Sequence, residues 1–284
     1  MITLSNGHRF SSMAASGALA FDGRGWPWEW PLRWLGLLDP KLFTIVAKTV
    51  TMEPRRGNLR WWNPLGCVRF LDGGAVNAVG LTNPGIRWWL SVAAPRAAAL
   101  EYAMVGSITS DDVDELVAMA TMMNDAKLVA LEFNASCPNS QSRLMHDADL
   151  VVEACRRLKV ASKFPLLLKL SVAHEYKKIA RATEGIVEAI SINTVPWAVA
   201  FPMKQSPLAH LGGGGVSGKL AQVWTWKVLK ELTVATTTPI IAPSIWEYGD
   251  IETVRALGAQ AVSFGSVFMR YPWRPTQFVR RTMS

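Results

Sequence analysis

The stretch 131-LEFNASCPNS-140 joins an apolar run to a group of polar side chains. The apolar alternation up to Phe133 predicts a buried strand, and Pro138 ends that strand. The polar residues at this junction of strand and loop are Asn134, Ser136, Cys137 and Asn139. Because barrel enzymes keep their catalytic groups at the carboxyl ends of their strands, the stretch predicts a barrel strand and a candidate active site together.

Short apolar runs of this kind alternate along the chain with segments of helical period. The eight predicted strands are 11–16, 43–50, 102–109, 127–137, 165–171, 189–195, 239–244 and 261–267. The predicted helices are 84–98, 111–123, 149–159, 174–183, 219–233, 247–257 and 275–283, and only the connection after the first strand lacks a clean helix. Strands that are apolar on both faces need helices outside them, so the pattern predicts an α/β fold, a (β/α)8 TIM barrel that fills 1–284 as a single domain. An open doubly wound sheet is the alternative.

Composition narrows the class of protein. Half of the 284 residues are hydrophobic, which supports a sizeable core, and the formal net charge of +8 suits an anionic ligand, nucleic acid or an acidic membrane surface. Three irregularly spaced cysteines are too few for a disulfide framework, a zinc site or an iron–sulfur cluster held by this chain alone. The first residues lack an apolar signal core, and no run reaches roughly 18 apolar residues, so we expect a soluble, cytoplasmic protein.

Tryptophan is abundant, with 13 copies, and 26-WPWEWPLRW-34 holds four of them. One interpretation is a surface loop whose indoles pack on the body of the protein or on a second subunit. The other is a patch for a partner or for peripheral membrane contact, because Trp and Arg are enriched at both kinds of interface.

The predicted strand ends carry two lysines and several amides but no pair of carboxylates. They are Ala15 and Ser16, Lys48 and Thr49, Asn134 and Cys137, Lys169, Asn193 and Thr194, Ser244, and Gly265 with Ser266. This set argues against glycoside hydrolysis and against a hard metal, and it favours an anionic or imide-bearing ligand. A lone cysteine is also a common small buried residue, and a strand-end lysine can simply reach solvent. Glycines in 212-GGGGVSGK-219 and 264-FGS-266 are typical of loops that bind phosphate, and also of flexible loops.

Eight collinear motifs cover nearly the whole chain. They are 12-SMAASG-17, 47-AKTVTMEPRRGN-58, 77-NAVGLTNPG-85, 134-NASCPN-139, 168-LKLS-171, 192-INT-194, 213-GGGVSG-218 and 258-GAQAVSFGS-266. Together they resemble the class 1 dihydroorotate dehydrogenases, FMN barrels that oxidise dihydroorotate to orotate in pyrimidine synthesis. The resemblance implies FMN held by Ala15, Ser16, Lys48, Thr49, Asn134, Lys169, Ile192, Ser217, Gly218, Gly265 and Ser266. It implies a substrate site of Lys48, Asn77, Val79, Gly80, Leu81, Asn134, Asn139, Asn193 and Thr194, with Cys137 as the catalytic base and no metal. Class 2 relatives carry serine as the base and an N-terminal helical extension, and neither is seen here.

Two departures from the family pattern stand out. A glycine usually follows the INT motif, and a Gly-Gly pair usually follows the seventh strand, where this chain has Pro196-Trp197 and Pro243-Ser244. Proline has no N–H to donate, so at least one contact to the FMN phosphate is either lost or supplied by another group, for which the Ser244 hydroxyl is the candidate. We expect Trp197 to narrow the substrate pocket.

The resemblance leaves alternatives in function and partners. A dihydropyrimidine dehydrogenase-like reaction, a tRNA dihydrouridine synthase-like reaction and a flavin-free binding protein are the alternatives; the motifs favour dihydroorotate and no nucleic acid. Class 1 enzymes use fumarate as homodimers, or NAD through a second subunit that carries FAD and an iron–sulfur cluster. A homodimer is the expected assembly.

Overall fold

The computed structural model describes residues 1–60, 62–136, 144, 146–192 and 195–283. The strands within them are β1 (Ile2–Thr3), β2 (Arg9–Phe10), β3 (Ser12–Ala14), β4 (Thr44–Val46), β5 (Val68–Leu71), β6 (Gly74–Asn77), β7 (Met104–Ile108), β8 (Ala130–Asn134), β9 (Leu166–Leu170), β10 (Ala189–Ile192), β11 (Val195–Pro196), β12 (Gly215–Gly218), β13 (Ile240–Ala242) and β14 (Ala261–Phe264).

The helices of the described residues confirm all seven predicted segments to within a few residues and include three short ones that were not predicted. They are α1 (Trp30–Trp34), α2 (Ile86–Trp88), α3 (Ala94–Ala99), α4 (Val113–Met123), α5 (Ala148–Ala161), α6 (Tyr176–Ala182), α7 (Trp197–Ala200), α8 (Gln222–Ala235), α9 (Gly249–Ala256), α10 (Ser266–Arg270) and α11 (Arg274–Met283), and a π-helical turn, Trp89–Ala93, joins α2 to α3. Side-chain caps fix two starts: Asp112 accepts from the Asp114 N–H at 2.8 Å at α4, and Asp147 accepts from the Leu150 N–H at 2.9 Å at α5. None of the described helices is long and apolar enough to cross a membrane.

Eight parallel strands close into a barrel in the chain order β3, β4, β7, β8, β9, β10, β13, β14. The last strand pairs with the first, with Val262 opposite Ser12 and Phe264 opposite Ala14. Each strand lies inside one of the eight predicted runs, so the predicted barrel is confirmed. The open-sheet alternative is wrong, because β14 pairs with β3 and the sheet closes without an edge strand.

Alternate residues of each barrel strand face opposite sides, as the two-residue repeat of a strand requires. One side packs against the helices. The other contributes one residue per strand to a separate buried cluster, here called the apolar layer: Met13, Val46, Val105, Ala130, Leu167, Ala189, Ile241 and Ala261. The β1–β2 hairpin packs on this layer through Ile2, Leu4 and Phe10. The amino-terminal end of the barrel is thus filled with apolar side chains.

An antiparallel sheet that the sequence did not predict is formed by β5, β6, β12 and β11. Its register places Gly215 opposite Asn77 and Ser217 opposite Ala75. The stretch 212–219, predicted to open the next helix, first forms β12, and α8 begins at Gln222. Strands this short and rich in glycine carry little local signal, so their pairing depends on the rest of the fold.

Candidate active site

A cavity of about 480 Å³ lies at the carboxyl ends of the barrel strands. The predicted site residues that line it are Ala15, Ser16, Lys48, Thr49, Asn77, Val79, Gly80, Leu81, Asn134, Lys169, Ile192, Ser217, Gly218, Ser244, Gly265 and Ser266. Cys137, Asn139, Asn193 and Thr194 lie outside the described residues. The fold therefore brings together, in one cavity, every described residue that the sequence suggested for a site.

The two-residue repeat of the strands determines which side chains form the floor of the cavity. Two residues beyond the apolar layer, the positions on six strands become polar; they are Lys48, Ser107, Glu132, Lys169, Ser191 and Ser263, here called the polar layer. All of them except Ser107 line the cavity. The barrel interior thus changes from apolar to polar within one step of the repeat, about 7 Å along a strand.

A hydrogen-bonded network of side chains joins four strands under the cavity. The Thr49 hydroxyl is its centre, 2.8 Å from Ser16 Oγ and 2.9 Å from Ser107 Oγ. It also accepts a hydrogen bond of 2.9 Å from Asn134 Nδ2. Ser107 in turn donates to Glu132 Oε1 at 2.8 Å. The network holds the Asn134 amide in one orientation at the cavity edge.

Glu132 is a site residue that our sequence analysis missed. It is buried and stands two positions before Asn134 on β8, so both side chains face the same side of the strand. The alternation in 131-LEFNASCPNS-140 was a sufficient signal for it.

Two lysines bring positive charge into the cavity. Lys169 lies within β9 and is buried, and Lys48 follows β4. Burial lowers the pKa of Lys48 to about 8; the Cys67 thiol acts in the opposite direction, and the charge of Lys169 lowers it further. The cavity therefore favours an anionic or electron-rich ligand that would compensate this charge.

Ser191 of the polar layer has a buried hydroxyl without a partner among the described residues. Its Oγ is buried and makes no hydrogen bond within the described part of the chain. An unpaired buried hydroxyl destabilises a folded protein, and a ligand with a polar edge would relieve that penalty.

The family to which the chain belongs is shown by a match over most of its length. The family model for dihydroorotate dehydrogenase matches residues 34–273. The chain belongs to the dihydroorotate dehydrogenase family. The resemblance seen in the sequence motifs is thereby confirmed.

Members of the dihydroorotate dehydrogenase family of both class 1 types are similar to this chain. Dihydroorotate dehydrogenase A (fumarate) of Lactobacillus delbrueckii subsp. bulgaricus is 31% identical over 264 residues, which are 89% of this chain and 82% of that protein. The catalytic subunit of dihydroorotate dehydrogenase B (NAD(+)) of Desulforudis audaxviator is 29% identical over 244 residues, 81% of this chain and 76% of that protein. A crystal structure of ligand-free type DHODH from Eimeria tenella has the same fold, with a TM-score of 0.75 at 16% identity over 99% of this chain and 85% of that one.

The tryptophan-rich segment of this dihydroorotate dehydrogenase family member forms part of the cavity wall. Trp26 and Trp28 line the cavity with their rings stacked 5.4 Å apart, and Trp26 Nε1 donates to Gly17 O at 3.0 Å. Trp28 is 54% exposed and Trp34 is 71% exposed. Trp26 thus packs on the body of the protein, as the first interpretation expected, but no local sequence signal indicated that it would border the site.

Trp197 lies just after the INT motif, where dihydroorotate dehydrogenases usually have a glycine. It is not among the described residues that line the cavity. Its Nε1 donates to Lys204 O at 2.7 Å, and its ring lies 4.6 Å from that of Phe201. Its indole is directed toward the turn after α7. The substrate residues Asn139, Asn193 and Thr194 lie outside the described residues, so the narrowing of the substrate pocket by Trp197 stays a prediction.

Proposed function

We propose that this chain oxidises dihydroorotate to orotate with FMN as its cofactor, in pyrimidine synthesis. The observation that carries the proposal is the single cavity lined by all sixteen described residues that the family resemblance and its Ser244 departure assign to FMN and substrate. The names of the similar proteins favour dihydroorotate over uracil, thymine or tRNA as the substrate.

The residues of the cavity fit FMN. Lys48 and Lys169 offer positive charge to an electron-rich ring, and the Ser191 hydroxyl lacks a partner among the described residues. The backbone N–H groups of Ser244 and Ile245 also make no hydrogen bond there, and both residues line the cavity. Free backbone N–H groups after the late strands of a barrel are suited to a phosphate.

Cys137, Asn77 and Asn134 have separate roles in the proposed reaction. FMN, when bound, would accept the hydride that leaves one ring carbon of dihydroorotate. Cys137, as a thiolate, would take the proton from the neighbouring carbon onto Sγ. Asn77 and Asn134 would orient the ring amides and carboxylate of the substrate.

The test is the visible spectrum of the purified protein without oxygen, before and after addition of dihydroorotate. We expect a flavin spectrum that bleaches with dihydroorotate and does not bleach with dihydrouracil, which lacks the carboxylate. A flavin spectrum that dihydroorotate leaves unchanged would reject the substrate. A protein that stays colourless with added FMN would reject the cofactor and favour the flavin-free alternative.

Cys137→Ser tests the proposed base. Serine is far harder to deprotonate than cysteine, so we expect bound flavin to remain and its bleaching by dihydroorotate to be much slower at neutral pH. An unchanged rate would remove Cys137 from the mechanism.

The electron acceptor and the assembly are part of the same proposal. We propose a cytoplasmic homodimer as the assembly, with fumarate or, through a second subunit, NAD as the acceptor, because relatives of both types are similar to this chain. Reoxidation of the bleached protein by fumarate, together with a dimer mass in light scattering, would place the chain with the A type. Reoxidation only by NAD with an added subunit that carries FAD and an iron–sulfur cluster would place the chain with the B type instead.

A further inference from the structure

The loop after β13 contains a residue in a conformation that favours glycine. Ser244 has a φ of +66°, in the left-handed region, at the edge of the cavity. A residue with a Cβ adopts this conformation only at an energetic penalty. The surrounding structure must therefore hold Ser244 in place.

One face of α8 holds the loop. Thr225 Oγ1 lies 3.1 Å from Ser244 Oγ, and Gln222 Nε2 donates to Ser244 O at 3.0 Å. Trp226 Nε1 donates to Pro243 O at 3.2 Å. The spacing of positions 222, 225 and 226 places all three side chains on the same side of the helix. The hydroxyl and the carbonyl of Ser244 are thus both bound by α8.

Asp250 of α9 completes the arrangement. Its Oδ2 accepts from Gln222 Nε2 at 2.9 Å and from the N–H groups of Trp246 and Glu247, each at 2.8 Å. The N–H groups of Ser244 and Ile245, between these anchored positions, have no acceptor among the described residues. The anchors therefore leave two adjacent N–H groups without an acceptor among the described residues, and both belong to residues that line the cavity.

We propose that Thr225 and Gln222 are positioning residues that hold the Ser244–Ile245 backbone as a binding site for the phosphate monoester of FMN. This inference rests on the proposed function. Thr225 is fully buried and does not line the cavity, so it acts through Ser244 and not by contact. The Ser244 hydroxyl anchors the backbone in the conformation that glycine would adopt freely, and the backbone N–H groups bind the phosphate.

Binding of FMN and of riboflavin, which lacks the phosphate, isolates this contribution. The dissociation constants are measured on flavin-stripped protein by quenching of flavin fluorescence, without substrate. We expect wild type to bind FMN more tightly than riboflavin. The ratio of the two constants reports the phosphate site, because changes elsewhere in the cavity affect both ligands equally.

Two substitutions at Ser244 distinguish an anchor from a direct contact. In Ser244→Gly the left-handed backbone is freely accessible, so we expect the preference for FMN to be largely retained. In Ser244→Ala the strain remains without its anchor, so we expect the preference to fall about tenfold. An equal loss in both variants would mean that the hydroxyl itself binds the phosphate, and would overturn the proposal.

Thr225→Val and Thr225→Ser form the matched pair at the positioning residue. Valine has nearly the same shape without the hydroxyl, and we expect it to lower the preference for FMN about tenfold, whereas serine keeps it. Melting temperatures of the stripped variants separate this effect from a loss of folding. A preference unchanged in Thr225→Val, or a wild type that binds FMN and riboflavin equally, would overturn this inference alone. A wild type that binds neither flavin would reject the proposed function itself.

Discussion

The apolar and polar layers of the barrel interior differ by only two residues along the same strands. Two positions after Val46, Leu167 and Ala189 of the apolar layer stand Lys48, Lys169 and Ser191 of the polar layer. The apolar layer is buried beneath the β1–β2 hairpin, whereas the polar layer borders the cavity. The strand repeat therefore lets one set of strands build a stable core and a binding site without separate segments for each.

The two layers differ in how completely their groups are satisfied. Apolar side chains of the first layer need only close packing. In the polar layer, the Ser107 hydroxyl donates a hydrogen bond to Glu132. Ser191 Oγ, in contrast, has no partner in the described structure. The pKa of Lys48 is lowered by burial. We infer that the polar layer sacrifices stability of the free protein for ligand binding, and the following predictions test this contrast.

Leu167→Ala should produce the largest loss of stability. The side chain is fully buried in the apolar layer, and its truncation leaves a cavity that should lower the free energy of unfolding by about 2–5 kcal/mol. Chemical denaturation of the flavin-free protein measures this. Flavin affinity of the folded fraction should stay near wild type; a large loss of affinity would mean that the layers are not separable.

Lys169→Met should weaken flavin binding without a loss of stability, the reverse of Leu167→Ala. Loss of a charged contact should weaken FMN binding by about 1.5–3 kcal/mol, while removal of a buried charge leaves the unfolding free energy unchanged or raised. Flavin titration and denaturation of the same preparation provide both values. Full colour and full affinity would show that this lysine makes no contact with the cofactor.

Lys48→Met should reveal the penalty for a desolvated cation. The pKa of Lys48 falls from 10.5 to about 8 in the folded chain, so between these values the unfolded chain binds more protons and wild-type stability should rise with pH. We expect the variant without flavin to be more stable than wild type by about 1–3 kcal/mol at pH 7. The difference should shrink as the pH rises above 8, and a constant difference from pH 7 to pH 10.5 would contradict this interpretation.

Ser191→Ala should have the smallest effect on stability. Its hydroxyl has no partner to lose among the described residues, so the flavin-free protein should be as stable as wild type or up to about 1 kcal/mol more stable. If a ligand bonds to this hydroxyl, the gain in melting temperature on adding FMN should be smaller in the variant. An equal gain in both proteins would leave Ser191 without a role in binding.

Short strands and their strand-end residues were predictable from local pattern. The run 127–137 contains β8, and Lys169 and Asn134 stand where the alternation placed them. The four-stranded sheet of β5, β6, β12 and β11 was not predictable, because glycine-rich segments such as 212–219 gain their structure from pairing with distant strands. The direction of the Trp26 indole, into the cavity wall, and that of the Trp197 indole, toward Lys204, were likewise undecidable from composition.

The sequence alone determined the barrel, because eight apolar runs with helices between them can bury both faces of each strand in few other ways. It also determined which side chains stand at the strand ends, since a two-residue repeat needs no distant information. Only the tertiary structure decided how α8 holds Ser244 in a left-handed conformation and which polar groups remain without partners. Those features depend on contacts between segments far apart in the chain, and no local pattern encodes them.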